Sequence, residues 1–317
     1  MGSAGIPIID AHCHIASEDI IPRSFIDGTI ANIEAALAAQ GIAPTSAKLA
    51  SLYERKLQDP LCDELVAEMA TAGIEKSILL AADFTWVLKD SALTVEESFR
   101  RHAEVLRRHP GKFEVFGGVD PRWGRDGLAL LERSFVELGF RGFKVYPPCG
   151  FSPSDPALFP FYELCATHGT PVVVHIGPTS PALAFDTSNP FLLDAAARRF
   201  PTVNFILAHG SVSYREECAM LCGYRPNVYL DISGYQGEPR AEGKAEAVRA
   251  VVSRGINHKI LFGTDWPVYR MQGSQESAVE AVLVEDGPLA ELSDLEQALV
   301  LHGNAARLLD RARPAVG

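Results

Sequence analysis

Residues 141–175 read RGFKVYPPCGFSPSDPALFPFYELCATHGTPVVVH. The segment opens on an apolar run, Arg141–Tyr146, and closes on another, Pro171–His175, with a helical pattern, Asp155–His168, between them. Val172, Val173 and Val174 follow one another without a polar residue, as in a parallel strand covered on both faces. A strand, a helix and a second strand in succession predict neighbours in a parallel sheet. The same beat continues in both directions. Upstream lie Pro7–Ala11, Lys76–Ala82 and Phe113–Val119; downstream lie Val203–Ala208, Val228–Ile232 and Lys259–Gly263. Helical patterns separate them at Cys62–Gly73, Val95–His109, Arg125–Leu138, Phe191–Arg199, Tyr214–Gly223, Glu242–Arg254 and Asp294–Leu301, with a last short helix at Asn304–Arg311. Eight strands alternating with helices predict one α/β domain over residues 1–317, a (β/α)8 TIM barrel. A doubly wound open sheet is the competing architecture, but no G-x-G-x-x-G follows the first strand.

One connection breaks the rhythm. Residues 15–59 separate the first strand from its helix and contain an Ala-rich helical stretch, Ile30–Gln40. Connections of this kind usually span about 2–6 residues, so the insertion is expected to be a lid or specificity loop.

Composition bounds the partners. The 317 residues carry 29 Lys and Arg against 40 Asp and Glu, a formal net charge of −11. That balance argues against a nucleic-acid groove, which needs clustered cations. No apolar run approaches the roughly 18 residues of a membrane span, and no basic stretch precedes an apolar core at the N-terminus. A cytoplasmic location is expected. Cys13, Cys62, Cys149, Cys165, Cys218 and Cys222 are dilute in a chain of this length, which favours reduced structural thiols over a disulfide framework.

In such a barrel, chemistry sits at the C-terminal ends of the strands. The first strand ends in Asp10-Ala11-His12-Cys13-His14, and alternation turns His12 and His14 the same way, toward one metal ion. Lys144 stands near the end of the fourth strand, His175 ends the fifth, His209 follows the sixth and Asp265 the eighth. Four of the nine histidines thus fall where a barrel keeps its ligands. Asp10 shares the face of His12 by parity and is expected to support a ligand. Asp231 and Ser233, after strand seven, either reach the site or stabilise the fold. Tyr146, Arg122, Trp266, Tyr269 and Arg270 are candidate substrate contacts, the arginines for a carboxylate and the aromatic residues as flat walls. His102, His109, His168, His258 and His302 fall in helices or connections and receive no role.

The ordered set D-A-H-C-H, G-F-K-V-Y-P-P, V-V-V-H-I-G, F-I-L-A-H-G-S and L-F-G-T-D-W-P resembles the amidohydrolase superfamily. It is most similar to the amidohydrolase-related branch that includes aminocarboxymuconate-semialdehyde decarboxylase-like enzymes and several lactonases. The likeness runs from Ile8 to Gly303–Leu309. It implies a metal-dependent enzyme and leaves the reaction open. In the binuclear form of such a site, a carbamate on Lys144 would join two ions, one on His12, His14 and Asp265, the other on His175 and His209. In the mononuclear form, His12, His14, His175 and Asp265 hold one ion, His209 is the acid/base and Lys144 anchors a substrate carboxylate. Zinc suits the imidazole and carboxylate donors, and manganese is the alternative.

Two reactions follow. Lys144 as a bridge favours hydrolysis of a cyclic amide, lactone or ester, with Asp265 moving the proton of an activated water. The alternative is non-oxidative decarboxylation of a small aromatic or unsaturated acid, with His209 protonating the carbon left behind. Either way the partner is a small molecule, and a homodimer through the outer helices is expected.

Overall fold

The computed structural model describes residues 5–43, 46–235 and 241–311. Its eight strands run in chain order: β1 (Ile8–Cys13), β2 (Ile74–Leu80), β3 (Phe113–Gly118), β4 (Gly142–Val145), β5 (Val172–Val174), β6 (Phe205–Leu207), β7 (Val228–Asp231) and β8 (Ile260–Leu261). Each pairs in parallel with the next. The last turns back on the first. Ala11 N donates to Phe262 O at 2.9 Å, Asp265 N to His12 O at 2.8 Å and His14 N to Trp266 O at 2.8 Å. The sheet is a (β/α)8 barrel.

Alternation sorts each strand into an inner and an outer face. On β3, Val115 packs outward and Phe116 inward; on β5, Val172 and Val174 pack outward and Val173 inward. The interior joins Ile9, Ile78, Phe116, Val173, Ile206 and Leu261 to Leu308 and Leu309 of the C-terminal helix, which plugs the bottom. Gly142 is required by a close approach, since a Cβ there would lie 2.5 Å from the Phe116 ring.

Around the strands stand α3 (Asp63–Ala72), α4 (Val95–Arg108), α5 (Gly124–Val136), α6 (Phe159–His168), α7 (Asp194–Arg199), α8 (Arg215–Tyr224), α9 (Ala241–Val252), α10 (Gln275–Leu283), α11 (Asp294–Ala298) and α12 (Asn304–Arg311). The insertion folds as α1 (Arg23–Ala39) and α2 (Ser46–Lys56), then returns to the barrel, where Asp59 N donates to Ala16 O at 2.7 Å. The helix expected at Ile30–Gln40 therefore starts seven residues earlier, directly after Pro22. Helices α2 and α10 were not expected from the pattern. The nine residues of α10 are held by a Ser274 capping box and bury Ala278, Val279 and Val282. Strands β5, β6 and β8 are shorter than their apolar runs, because the backbone leaves the ladder just before the polar residues that follow. All six cysteines are buried free thiols. No helix among the described residues is long and apolar enough to cross a membrane.

Candidate metal centre

The strand ends bring five side chains together. Nε2 of His12 lies 3.6 Å and Nε2 of His14 3.2 Å from the same carboxylate oxygen of Asp265, and Nδ1 of His209 lies 3.9 Å from the other. His12, His209 and Asp265 offer ligand atoms within 4.8 Å of one another. The His209 ring lies 4.6 Å from that of His12 and 5.0 Å from that of His175, centre to centre. His209 and Asp265 both take left-handed backbone angles, φ 59° and 56°. A residue with a β-carbon adopts that conformation at a cost of order 1–3 kcal/mol, and here it turns each side chain back into the barrel mouth.

The tautomers are set from behind. Nδ1 of His12 donates to Asp231 Oδ2 at 2.8 Å and Nδ1 of His14 to Leu80 O at 2.8 Å, so both Nε2 atoms keep their lone pairs. Oδ1 of Asp231 accepts from the backbone of His209 and Ser233, both at 3.0 Å, and from the Ser233 hydroxyl. That hydroxyl lies 2.9 Å from His209 Nδ1. Asp231 therefore reaches the site by orienting two of its histidines.

Asp10 supports the site differently from its expected parity role. β1 is irregular between Asp10 and Cys13. The Asp10 carboxylate accepts from His12 N at 3.0 Å, from Thr264 N at 2.9 Å and Oγ1 at 2.5 Å, from Cys13 Sγ at 3.0 Å and from Gln275 Nε2 at 3.2 Å. It ties the ligand end of β1 to the residue before Asp265. Burial raises its pKa to about 6 despite those bonds.

Burial and mutual repulsion decide the charges. His12 and His175 are held well below the ordinary imidazole range, first by burial and then by neighbouring Lys144 and His209, so both are neutral. Burial pushes Asp265 up, but His209, His12 and His14 outweigh it and hold the carboxylate at about 2. Lys144 faces inward on β4, fully buried; burial lowers its ammonium to about 8, while Asp231 and Asp265 pull it back up. Nζ of Lys144 and Nε2 of His12 and His175 are buried without a hydrogen-bond partner. Buried polar atoms are rarely left so. The unpaired Nε2 of neutral His12, converging with His209 and the Asp265 carboxylate and with His175 beside them, fits a divalent cation.

Above the cluster opens a cavity of about 280 Å³. His14, His175, His209, Asp265 and Tyr146 line it, with Ile21, Phe25, Ile26, Tyr53 and Leu57 from the insertion as its roof. The Tyr146 hydroxyl pairs with Thr179 Oγ1 at 2.8 Å, and its ring packs 4.5 Å from His175.

Three expected substrate contacts are elsewhere. Arg122 turns its guanidinium onto the carboxylate of Asp120 and donates to Cys149 O at 2.8 Å. Trp266 Nε1 donates to Glu68 Oε2 at 3.0 Å, and Arg270 pairs with Glu64 and Glu68. None of the three lines the cavity. The side chain of Tyr269 lies outside the described residues. Conversely, Phe84, Thr179 and His102 line the cavity without having been singled out for it.

The amidohydrolase family model matches residues 9–311. The chain belongs to the amidohydrolase family. It is 23% identical over 259 residues to the 2-amino-3-carboxymuconate-6-semialdehyde decarboxylase of Dictyostelium discoideum, covering 71% of this chain and 68% of that protein. Among solved structures, the 5-carboxyvanillate decarboxylase of Sphingomonas paucimobilis superposes with a TM-score of 0.68 at 16% identity, covering 96% of this chain and 99% of that one. A dihydroxybenzoic acid decarboxylase from Polaromonas, solved with manganese and 2-nitroresorcinol, gives 0.62 at 20% identity over 97% and 98%. At these identities the structural likeness bears on the fold alone. This amidohydrolase is thus an enzyme-family barrel whose mouth fits a divalent metal.

Proposed function

We propose that this amidohydrolase is a metal-dependent, non-oxidative decarboxylase of a small aromatic or unsaturated carboxylic acid. The observation that carries the reading is Lys144 Nζ, buried beside the imidazoles with no hydrogen-bond partner among the described residues, Asp231 and Asp265 acting on it only through space. A buried ammonium is costly alone and is compensated by an anion, and a substrate carboxylate supplies one. The decarboxylase names among the relatives support the same choice. The hydrolysis expected from a bridging Lys144 has no such support and gives way to the alternative.

His12, His14, His175 and Asp265 would hold one divalent ion, zinc or manganese, the latter being present in the Polaromonas enzyme. When bound, that ion supplies positive charge that fixes the carboxylate and polarises the substrate. Lys144 orients the carboxylate from the β4 side. Ser233 occupies the Nδ1 edge of His209 and leaves Nε2 to carry the transferred proton. As the bond between ring carbon and carboxyl breaks, its electron pair stays on the carbon, which takes the proton from His209 Nε2, and carbon dioxide leaves. The apolar roof excludes water, and the insertion 15–59 acts as the specificity lid.

The test is to load purified protein with manganese or zinc and supply hydroxybenzoic acids carrying a labelled carboxyl group. Labelled carbon dioxide with the decarboxylated phenol is the expected result. Lactone opening with uptake of heavy oxygen from water, and no carbon dioxide from any acid, would overturn it.

A further inference from the structure

Among the described residues, four buried side-chain nitrogens near the barrel mouth have no hydrogen-bond partner: Nε2 of His12, Nε2 of His175, Nζ of Lys144 and Nε2 of His102. The first three belong to the centre described above. The fourth comes from outside the barrel, from α4, and His102 nevertheless lines the same cavity. Its exposure is 1%, so solvent does not satisfy it.

The ring's orientation follows from its one bond. Nδ1 lies 2.8 Å from Ser98 O, a carbonyl one turn back on the same helix, and a carbonyl can only accept. Nδ1 therefore carries the proton and Nε2 a lone pair, on the edge turned away from the helix. Burial also lowers the imidazole to about 4, which keeps the ring neutral at neutral pH. Among the hydroxyls lining the cavity, those of Tyr146 and Thr179 engage each other and those of Ser180 and Thr29 donate to Phe25 O. Ile20, Leu80, Ala82 and Phe84 give the same cavity apolar lining, and His14 is the imidazole that His102 senses across it. An acceptor in such a wall discriminates strongly, because a substrate that lacks the matching donor leaves it unpaired.

We propose that His102 is a specificity-determining residue whose Nε2 accepts a hydrogen bond from a hydroxyl or amino group of the substrate, remote from the carboxylate held by Lys144. The assignment rests on the decarboxylase reading only for that carboxylate. It predicts an acid with a ring donor as the preferred ligand, over the same acid with a hydrogen or a methoxy group in its place.

The experiment measures binding, not turnover. Calorimetric titration of manganese-loaded protein uses benzoate, 3-hydroxybenzoate, 4-hydroxybenzoate and their methoxy counterparts. At least one hydroxy acid is expected to bind about five- to tenfold more tightly than its methoxy and unsubstituted partners. His102→Phe, similar in shape and without an acceptor, is expected to erase that preference and leave benzoate binding unchanged. His102→Gln, which returns an oxygen near the Nε2 position, is expected to restore part of it and covers the case in which the Phe variant fails to fold. Absence of any hydroxyl preference in the unmodified protein, or its survival in His102→Phe, overturns the proposal. Carbon dioxide release from the same acids is scored separately, so failure of the decarboxylase reading leaves a distinct signature: selective binding without turnover.

Discussion

The floor and the roof of the cavity are built on opposite principles. The floor consists of strand ends whose nitrogens and oxygens are aimed by buried hydrogen bonds, from Asp231 to His12, from Leu80 O to His14 and from Asp10 to the backbone of His12 and Thr264. The roof, α1 and α2 with the residues flanking them, faces the cavity with Ile21, Phe25, Ile26, Thr29, Tyr53 and Leu57, none of them ionised. Among the described residues its own buried cluster is Ile26, Ile30 and Leu57, with Ile21, Leu49, Ala50 and Tyr53 packed against it. Exposed contacts add Arg23 on Asp27 and Glu54 and Ser24 on Asp90, and part-buried ones add Phe25 on Phe84 and Ser180 Oγ on Phe25 O. Exposed pairs add little to stability, whereas a buried network loses much when one member is removed. The difference teaches a division of labour. The floor is preorganised by its hydrogen bonds, and the roof is more lightly held, as the proposed lid requires.

Removing the proposed proton donor is expected to attack the floor hardest. His209→Asn is expected to lower kcat by about 10²- to 10⁴-fold while the protein still binds its metal, as measured by elemental analysis beside steady-state rates. If metal is lost with activity, His209 is a ligand and not the acid, and the division of the floor into holders and donor fails. Asp231→Asn comes next. One acceptor oxygen disappears behind His12 and His209, and metal affinity is expected to fall about 10- to 100-fold with the fold retained. An unchanged metal dissociation constant would assign Asp231 to fold stability alone.

Acid separates the two walls in another way. His12, His102 and His175 have folded-state pKa values below that of an unfolded histidine, all first through burial. The unfolded chain then binds more protons, so the stability they govern is complete above about pH 6.5 and is lost as pH falls toward the folded values. Asp10, raised to about 6, works the other way, since protonation in the folded state relieves its burial. His258 is lowered as well and Asp83 is raised like Asp10, so four imidazoles against two carboxylates make a net loss the expected outcome. The melting temperature of metal-free protein is expected to drop between pH 6.5 and 4.5, with a shallower slope in His102→Gln. Roof substitutions, which touch no titrating group in the cavity, are expected to leave the slope alone.

The floor was legible because it is written in the period of the strands. A histidine at the end of an apolar run has one place to go in a barrel, and His12, His14, His175 and His209 all go there. Direction within a turn is not written that way. Arg122 follows strand three as expected, but Asp120, two residues earlier, captures its guanidinium and turns it from the cavity. Trp266 and Arg270 are drawn to Glu68 and Glu64 by α3, a helix some two hundred residues away in sequence. His102 was set aside because a helical position gives no sign of the cavity it faces. Only the fold shows that this residue of α4 lines the cavity under the insertion and that its Nε2 is buried without a partner among the described residues. Phe84 is similar, since its ring joins Phe25 of the roof to Tyr146 of the floor, at 5.3 and 5.0 Å.

The smallest expected effect belongs to the seam between the walls. Helix α1 rests on the segment after β5 through Gly28, where an added Cβ would stand 2.8 Å from Ser180 Oγ and 3.2 Å from Ala182 N. Ser180 Oγ in turn donates to Phe25 O at 2.6 Å, so the contact is backbone against backbone with one hydroxyl between. Gly28→Val cannot be absorbed by rotating that hydroxyl, because the hydroxyl is spent and Ala182 N is fixed. Helix propensity alone would favour the change by some tenths of a kcal/mol, so a loss, if seen, reports the seam and not the helix. The expected outcome is a few-fold rise in KM with kcat at saturation unchanged, faster proteolytic cleavage within 15–59, and a melting temperature set by the barrel and little altered. An equal fall in kcat would mean that the roof helps to place the floor's reacting groups, and the two walls would then form a single unit.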